Sequence, residues 1–227
     1  MSDNQPAKFC SGCGYPLILL TLRNVLEEKG LLKEAVLGLD IGCSLLALNS
    51  LPINTFHTHH GRVTPTMLGF KRANPRALCL GLTGDGGAYA IGLQSLLHAA
   101  WRDEAVTVVV VNNTVYGMTG GQQSPTTFLG EKTDTTPAGS QLSPLPGLEI
   151  VAEACKKNQA FLARGVVTDL VQLKEMIGQA IERQQAGHFS LVEILSFCPT
   201  NWKTIGSATR EFLEKNLLPV FKVGVIK

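Results

Sequence analysis

The chain has 227 residues, 44% of them hydrophobic, which is enough for one substantial core and short for two, so we expect one domain over residues 1–227. The formal net charge of +2 is too small and too evenly spread to indicate a nucleic-acid or membrane surface, so proteins and small molecules are the expected partners. The polar start from Met1 to Lys8, with no later apolar run of membrane-spanning length, predicts a cytoplasmic protein.

The hydrophobic pattern alternates between helical and strand-like segments along the chain. Residues 13–30 carry apolar side chains at helical spacing, and Gly30 stands where such a helix would end. The further predicted elements are, in chain order, the strands Ala35 to Leu39 and Ala77 to Leu82, the helix Ala88 to Ala100, the strand Val106 to Val111, the helix Leu148 to Asn158, the strand Ala160 to Arg164, the helix Asp169 to Gln185 and the strand Ser190 to Leu195. This order predicts an α/β fold with a doubly wound, mostly parallel sheet.

Two segments do not fit this alternation. From Gly120 to Pro146 the chain is rich in Thr, Ser, Pro and Gly without periodicity, and a loop of that length in a compact domain is usually functional or covered by a partner. Residues 201–227 follow the last predicted strand, and we expect them to form a C-terminal extension.

Two loops with glycine, aspartate and asparagine follow neighbouring strands. One reads Gly84-Asp85-Gly86-Gly87 and the other begins Asn112-Asn113. Ligands bind outside the carboxyl ends of the strands in an open parallel sheet, so both loops should face one crevice suited to a diphosphate. Asp85, the amide oxygen of Asn113 and a backbone carbonyl just beyond it would be hard oxygen ligands for magnesium. Taken singly, Gly-Asp-Gly and Asn-Asn are also common turn sequences.

Four of the six cysteines fall in predicted loops. Cys10 and Cys13 form a Cys-x-x-Cys pair, Cys43 follows a strand, and Cys198 follows the last strand. They could converge on one metal centre, for which spacing alone leaves zinc and an iron–sulfur cluster open. A redox-active pair is less favoured, because no thioredoxin-like strand precedes the first cysteine. The other two lie in a predicted strand and a predicted helix, and we expect them to be buried structural residues: Cys79 and Cys155.

The segment from Gly84-Asp85-Gly86 to Asn112-Asn113 resembles the thiamine-diphosphate motif, which opens with Gly-Asp-Gly and closes with Asn. By that resemblance, Asp85, Asn113 and the carbonyl of Val115 hold the magnesium. With further blocks the chain resembles the β subunit of 2-oxoacid:ferredoxin oxidoreductases from about Phe9 to Thr200. Those blocks are Cys10-Ser11-Gly12-Cys13-Gly14, Asp40-Ile41-Gly42-Cys43-Ser44, His57-Thr58-His59-His60-Gly61-Arg62 and Asn113-Thr114-Val115-Tyr116-Gly117-Met118-Thr119-Gly120-Gly121-Gln122.

The resemblance implies a thiamine-diphosphate-binding fold and assigns the cofactors to particular residues. One 4Fe-4S cluster would be held by four cysteines, Cys10, Cys13, Cys43 and Cys198. Thiamine diphosphate would lie against Ile41, Gly42, Cys43, Ser44, His60, Gly84, Asp85, Gly86, Gly87, Asn113, Gly117 and Met118.

Three histidines close together, His57, His59 and His60, could be interpreted as a metal cluster. Adjacent side chains point in different directions on an extended segment, and no carboxylate lies near them in sequence, so we expect no metal there. The resemblance gives His60 a role as a donor to the diphosphate. The other two are expected to be packing or loop residues.

The same resemblance implies that the chain is one subunit of an enzyme that oxidatively decarboxylates a 2-oxoacid. Thiamine diphosphate carries out the carbon chemistry, electrons leave singly through the cluster to ferredoxin, and the acyl group usually passes to coenzyme A. The glutamate that activates the cofactor is implied to lie on an α-type partner, and γ- or δ-type subunits could complete the enzyme. The acidic residues of this chain fall mostly on predicted solvated helix faces, at Glu27, Glu28, Glu153, Glu175 and Glu182.

Two other functions are open on these patterns. A non-oxidative thiamine-diphosphate decarboxylase or synthase subunit could use Cys10 and Cys13 for zinc or for no metal, and a non-catalytic binding subunit could keep the same fold without turnover. For the substrate, the segment between Cys43 and Arg62 contains leucines and no Lys or Arg. If Leu46 and Met118 line the pocket, a neutral 2-oxoacid should be preferred over 2-oxoglutarate, because burying an unpaired carboxylate is costly. The leucines could instead only pack a helical turn, and a partner could supply a cation.

Overall fold

A computed structural model describes residues 8–227 of the chain. Its helices are α1 (Tyr15–Glu28), α2 (Val63–Ala73), α3 (Leu93–Trp101), α4 (Gly147–Ala154), α5 (Leu170–Gln185), α6 (Pro199–Trp202) and α7 (Ser207–Phe212). Its strands are β1 (Ala35–Leu39), β2 (Asn54–His57), β3 (Leu78–Gly84), β4 (Thr107–Asn112), β5 (Val115–Tyr116), β6 (Gln122–Gln123), β7 (Phe161–Val166), β8 (Ser190–Leu195) and β9 (Gly224–Val225). Shorter helical segments are a 3₁₀ helix at Cys43–Ala47 and π-helical turns at Gly87–Ile91 and Leu213–Leu217.

The prediction of a cytoplasmic protein rested in part on the polar start of the chain. Met1 to Ala7 lie outside the described residues, so that expectation stays a prediction. Within residues 8–227, no helix combines the length and the hydrophobicity that crossing a bilayer requires.

Seven strands form one sheet in the order β2-β1-β3-β4-β8-β7-β9. All neighbours are parallel except β7 and β9, which pair antiparallel. The short strands β5 and β6 form a separate antiparallel pair. The predicted α/β fold with a mostly parallel sheet is confirmed.

Helices cover both faces of the large sheet. Successive strand residues point to opposite faces, as in β4, where Val109 and Val111 pack with α1 and α5 while Val108 and Val110 pack with α2, α3 and α4. Strands buried on both faces are continuous apolar runs, and the burial of every residue in β1 and β4 fits this rule. The sheet is therefore doubly wound, as predicted.

The strand order positions the ligand site. The chain runs from β1 outward to β2 and then crosses back to β3, so the connections leave β1 and β3 on opposite sides of the sheet. In open parallel sheets, ligands bind outside the carboxyl ends of the strands at such a switch point. The loops that begin at Asp40, at Asp85 and at Asn113 all start at this edge.

Several elements were not predicted from the sequence: β2, α2, the short strands β5, β6 and β9, and the short helices α6 and α7. The edge strand β2 reads Asn-Thr-Phe-His, and none of its residues is fully buried, so it lacks an apolar run. Helix α2 contains Pro65 in its first turn and Gly69 in its middle, and both residues weaken a helical pattern. The predicted helix over Ala88 to Ala100 is split into the π-helical turn and α3, and the predicted helix over Leu148 to Asn158 ends at Ala154.

The segment predicted as a C-terminal extension packs against the body of the protein. Leu213 and Leu217 are fully buried, Trp202 stacks on Phe212 with ring centroids 4.5 Å apart, and β9 adds a strand to the sheet. The long segment from Gly120 to Pro146 contains β6 and otherwise consists of turns and irregular backbone. Both segments therefore contribute buried residues, although neither shows the periodicity from which elements are predicted.

Candidate cofactor site

A cleft of about 220 Å³ opens at the carboxyl ends of β1, β3 and β4. Twelve of the residues that the sequence assigned to thiamine diphosphate or magnesium line it: Ile41, Gly42, Cys43, His60, Gly84, Asp85, Gly86, Gly87, Asn113, Val115, Gly117 and Met118. Three lining residues were not anticipated, namely Tyr15, Tyr116 and Thr119. The predicted residues thus come from four separate loops and share one concave surface.

Asp85 is a buried carboxyl at the floor of this cleft and is 2% exposed. Its Oδ2 accepts a hydrogen bond of 2.5 Å from the hydroxyl of Thr126, and no Lys, Arg or His of residues 8–227 forms an ion pair with it. Burial raises its pKa to about 6, against the hydrogen bonds that lower it. A buried carboxylate of this kind is suited to a cation, which would restore its ordinary acidity.

Asn113 and Val115 face Asp85 across a tight turn after β4. Thr114 takes a left-handed conformation with φ of +64°, and its N–H donates to the side-chain oxygen of Asn112 at 3.1 Å. The N–H of Val115 donates to Oδ1 of Asn113 at 3.2 Å, and the indole N–H of Trp202 donates to the carbonyl of Asn113 at 3.1 Å. These contacts fix the turn and keep both residues at the cleft.

Gly86 and Gly87 are required because neighbouring side chains approach their backbone closely. A Cβ on residue 86 would lie 2.1 Å from the ring of Tyr116, and a Cβ on residue 87 would lie 1.9 Å from Oδ2 of Asp40. The π-helical turn then starts at Gly87, and turns of this type are frequent at functional sites. The glycines therefore let the backbone itself form a wall of the cleft.

His60 is held by a carboxylate that is distant in sequence. Its Nδ1 lies 3.2 Å from the carbonyl of Ile41 and 3.5 Å from Oδ2 of Asp40. Asp40 is fully buried and also accepts hydrogen bonds of 2.7 Å from the N–H of Gly61 and from the hydroxyl of Thr83. The sequence analysis found no carboxylate for this histidine because the two residues are twenty positions apart. His57 and His59 are exposed and do not line the cleft.

The four predicted metal-binding cysteines come together beside the cleft. Cys10 and Cys13 share a turn that also contains Gly12. This turn packs against Pro199, the residue that follows Cys198: a Cβ on Gly12 would lie 3.6 Å from the Pro199 ring. Burial, together with the nearby thiolates of Cys198, Cys13 and Cys10, raises the pKa of Cys43 to about 12. Burial likewise raises the pKa of Cys13 to about 11. These cysteines lie close enough to raise one another's pKa, so they form one group beside the cleft.

Cys43 belongs to both the cysteine group and the cleft. A Cβ on residue 117 would lie 3.2 Å from the Sγ of Cys43, so this sulfur touches the backbone of a cleft-lining glycine. All six cysteines are free thiols, and burial raises the pKa of Cys13, Cys43 and Cys198. Thiols that bind a metal do so in the deprotonated form. Within residues 8–227, no three Cys, His, Asp or Glu side chains lie close enough to surround a single metal ion.

A buried polar chain runs from Asp85 through the sheet to the opposite surface. Its links are Thr126 to Asn112 at 3.0 Å, Asn112 to Glu193 at 2.7 Å, and Glu193 to Arg164 at 2.8 Å. Arg164 is 0% exposed and forms a bidentate pair with Glu149 at 2.7 and 2.9 Å. Glu193, Arg164 and Glu149 belong to no sequence motif, and their spacing along the chain gives no signal by which they could have been found.

A buried glutamate of the segment from Gly120 to Pro146 forms a hydrogen bond with the turn after β4. Glu131 is 4% exposed and accepts hydrogen bonds from the hydroxyl of Thr114 at 2.7 Å and from the N–H of Phe128 at 3.2 Å. Burial raises its pKa to about 8. Thr127 donates to the carbonyl of Thr114, so the Ser124 to Thr127 segment closes over the same turn.

The remaining predicted residues lie outside the cleft. Ser44 is buried, and its hydroxyl lies 2.9 Å from the hydroxyl of Tyr15, so it supports a lining residue. Leu46 is on the 3₁₀ helix and does not line the cleft, whereas Met118 lines it and is 45% exposed. Cys79 and Cys155 are fully buried in the core, as expected.

A family model matches the part of the chain that forms most of the cleft. The model described as thiamine pyrophosphate enzyme, C-terminal TPP binding domain, matches residues 40–194. That range contains every residue that lines the cleft except Tyr15.

Several curated proteins are similar to most of the chain. The 2-oxoglutarate synthase subunit KorB of Methanocaldococcus jannaschii is 33% identical over 97% of this chain and 82% of its own length. The 2-oxoacid:ferredoxin oxidoreductase subunit beta of Saccharolobus solfataricus is 37% identical over 85% of this chain and 62% of its own length. The ketoisovalerate oxidoreductase subunit VorA of Methanothermobacter thermautotrophicus is 33% identical over 95% of this chain, but the chain spans only 46% of that relative.

Two solved structures are also similar to the chain. The 2-oxoglutarate:ferredoxin oxidoreductase from Magnetococcus marinus, with 2-oxoglutarate, coenzyme A and succinyl-CoA bound, superposes with a TM-score of 0.81 and 27% identity over 94% of this chain and 70% of that chain. A thiamine diphosphate-dependent 4-hydroxybenzoylformate decarboxylase from Rhodococcus jostii, with a TM-score of 0.50 and 16% identity over 86% of this chain and 35% of that chain, shares the fold alone. The resemblance inferred from the motifs is confirmed, and the chain belongs to the thiamine-diphosphate-binding β subunits of the 2-oxoacid:ferredoxin oxidoreductase family.

Proposed function

We propose that this chain is the thiamine-diphosphate subunit of a cytoplasmic enzyme that oxidatively decarboxylates a 2-oxoacid and passes electrons through a 4Fe-4S cluster to ferredoxin. The acyl group is transferred to coenzyme A, and the active complex includes an α-type partner, with γ- or δ-type subunits as further members. One observation carries the proposal: Cys43 belongs both to the four-cysteine group and to the wall of the cofactor cleft.

The diphosphate end of the cofactor is assigned to the loops after β3 and β4. Asp85, Asn113 and the carbonyl of Val115 offer three hard oxygen ligands to magnesium, which keeps water and phosphate oxygens as its other ligands. Gly86 and Gly87 line the cleft and carry no side chain of their own, so their backbone N–H groups are suited to approach phosphate oxygens. The carbonyl of Ile41, with the Asp40 carboxylate nearby, engages Nδ1 of His60, which leaves the other ring nitrogen for a contact inside the cleft.

Thiamine diphosphate, when bound, supplies the nucleophilic carbon and the electron sink that decarboxylation of a 2-oxoacid needs. The chain provides the binding surface for it, but few groups that could move a proton. Among residues 8–227, Asp85 is the one carboxyl that lines the cleft, and it is assigned to the metal. The activating glutamate is therefore expected from the α-type partner.

The size of the cleft and the apolar residues around it support a cofactor site that is shared with a partner subunit. Pockets that enclose a ligand of drug size measure roughly 300–1,000 Å³, so a cleft of about 220 Å³ is too small to enclose the cofactor alone. Exposed apolar side chains surround it or lie on the long segment from Gly120 to Pro146, at Ile41, Ile91, Met118, Leu129 and Leu142. Apolar surface of this kind on a soluble fold marks a protein interface, and we place the α-type partner there.

The chain by itself is expected to bind cofactor but to show no 2-oxoacid oxidation. The test adds 2-oxoacid, coenzyme A and a viologen dye to the anaerobically purified chain, loaded with thiamine diphosphate and magnesium, and follows dye reduction. The purified α-type partner should restore turnover. Chain carrying Asp85→Ala, mixed with the same partner, is the matched control and should stay inactive. Dye reduction by the chain alone would show that the proposed division of the site is wrong.

The substrate preference is expected to favour neutral 2-oxoacids, because the cleft lining contains no Lys or Arg among the described residues. Met118 is an apolar side chain in the cleft lining and is proposed to contact the substrate, while Leu46 lies outside the lining. In the assembled enzyme, kcat/KM for 2-oxoisovalerate, pyruvate or phenylpyruvate should exceed that for 2-oxoglutarate. Met118→Arg should shift the ratio toward 2-oxoglutarate by roughly tenfold, the worth of one charge-assisted hydrogen bond.

Leu46→Lys serves as the control for that experiment. It adds a positive charge outside the cleft, so it should leave the substrate ratio unchanged. If 2-oxoglutarate is the best substrate of the unmodified complex, the preference argued from this cleft is wrong, and a cation from the partner decides the specificity.

A further inference from the structure

We propose that Asn201 is a positioning residue that links the cluster ligand Cys198 to the cofactor loop at Gly117 and raises the reduction potential of the iron–sulfur cluster. The inference rests on the proposed function, since it takes the cysteine group to hold that cluster. Neither the sequence motifs nor the family resemblance singled out this residue.

The side-chain nitrogen of Asn201 makes two contacts. Nδ2 lies 3.1 Å from the carbonyl oxygen of Gly117 and 3.2 Å from the Sγ of Cys198. A carbonyl oxygen can only accept, so the contact with Gly117 determines which end of the amide faces this side. The amide nitrogen carries two N–H groups, and the second one is directed at the sulfur.

The surroundings hold Asn201 in this orientation. Gly121, with φ of +86°, packs against it so tightly that a Cβ there would lie 2.8 Å from Cγ and Oδ1 of Asn201. On the other side, Trp202 donates its backbone N–H to the carbonyl of Cys198 at 2.9 Å and its indole N–H to the carbonyl of Asn113 at 3.1 Å. The residue is therefore clamped between the cysteine loop and the cofactor loop.

Gly117 is the point where the two halves of the site meet. A Cβ on this residue would lie 3.2 Å from the Sγ of Cys43 and 3.6 Å from Nδ2 of Asn201. The backbone of Gly117 therefore lies between the proposed cluster ligand Cys43 and Asn201, whose amide donates to Cys198. Gly117 also lines the cofactor cleft. The amide of Asn201 thus connects a ligand of the cluster with the loop that contacts the cofactor.

An N–H directed at a cluster sulfur changes the reduction potential in a definite direction. Reduction adds negative charge to the cluster and its thiolates, and a hydrogen-bond donor stabilises the more negative state. The reduced cluster therefore gains more from Asn201 than the oxidised cluster does. Loss of this donor should lower the potential.

The test is a redox titration of the anaerobically purified full-length chain, followed by electron paramagnetic resonance of the reduced cluster. Asn201→Ala removes the donor, and Asn201→Asp keeps the shape while replacing the donor by a negative charge. Both variants should keep their iron and titrate at a lower potential than the unmodified chain, with Asn201→Asp the lower of the two. Asn216→Ala is the matched control. Asn216 and Asn201 line the same cavity, but the Asn216 amide donates to the carbonyl of Phe212 at 2.9 Å and not to a cysteine. Its potential should be unchanged.

The outcomes separate this inference from the proposed function. An unmodified chain without an iron–sulfur signal overturns both. If the unmodified chain shows the signal but iron-loaded Asn201→Ala and Asn201→Asp keep its reduction potential, only the role of Asn201 is overturned. Loss of iron from both variants also overturns it, because the residue would then be needed to retain the cluster rather than to tune it.

Discussion

Replacing Asp85 with alanine is expected to abolish binding of thiamine diphosphate and magnesium while the iron content of the chain stays the same. Asp85 is the only carboxyl of the described residues at the cleft, and no side-chain cation of that part of the chain neutralises it. Removal of a residue that only orients a ligand typically costs about 10- to 100-fold in metal affinity. Loss of the ligand itself should therefore raise the Kd by more than roughly a hundredfold.

The affinity is measured by titrating the cofactor into the apo chain with magnesium in excess. Asp134→Ala is the matched control, since Asp134 is exposed and lies on the long segment away from the lining of the cleft. Thr126→Val should weaken binding by a smaller factor, because it removes the hydroxyl that orients Oδ2 of Asp85 but leaves the carboxyl. Tight cofactor binding by Asp85→Ala would show that the assigned metal ligands are wrong.

Replacing any one of Cys10, Cys13, Cys43 or Cys198 with serine is expected to remove most of the iron from the chain. A four-iron cluster needs one thiolate per iron, and the four sulfur atoms interact electrostatically as one group. Iron and acid-labile sulfide are assayed after anaerobic purification, with the visible absorption of the cluster as a second measure. Cys43→Ser should also weaken cofactor binding, because its sulfur contacts the backbone of Gly117 in the cleft.

Two buried cysteines provide the internal controls for this series. Cys79→Ser and Cys155→Ser change thiols that are fully buried in the core on the other face of the sheet, so iron should be retained in both. Each substitution buries a hydroxyl, so some loss of stability is expected, of about 1–3 kcal/mol. Full iron content in Cys10→Ser would remove that residue from the ligand set.

The central strands and the site loops could be predicted from the sequence because their signals are local. β1, β3 and β4 are continuous apolar runs, and the residues that follow them sit at one sheet edge by the geometry of a parallel sheet. Strand β2 lies at an edge and contains no fully buried residue, so its sequence resembles a loop. Local patterns therefore identified the core and the cleft, but not the edge of the sheet.

The contacts that support the site could not be predicted in the same way. Asp40 and His60, Asp85 and Thr126, and Glu193 and Arg164 are each separated by at least twenty residues, and only the folded chain brings them together. A buried ion pair such as Glu193 with Arg164 also runs against the composition expected of a core strand. Its partners in the polar chain satisfy both charges, which is why the strands tolerate them.

The most direct test of the account is a combined assay of iron, sulfide and thiamine diphosphate on the anaerobically purified full-length chain, with electron paramagnetic resonance of the dithionite-reduced sample. The expected result is about four irons per chain and the spectrum of a reduced 4Fe-4S cluster. It also includes about one thiamine diphosphate per chain when magnesium is present. A chain that binds thiamine diphosphate but contains zinc or no metal at the cysteines would contradict it and would indicate a non-oxidative thiamine enzyme subunit instead.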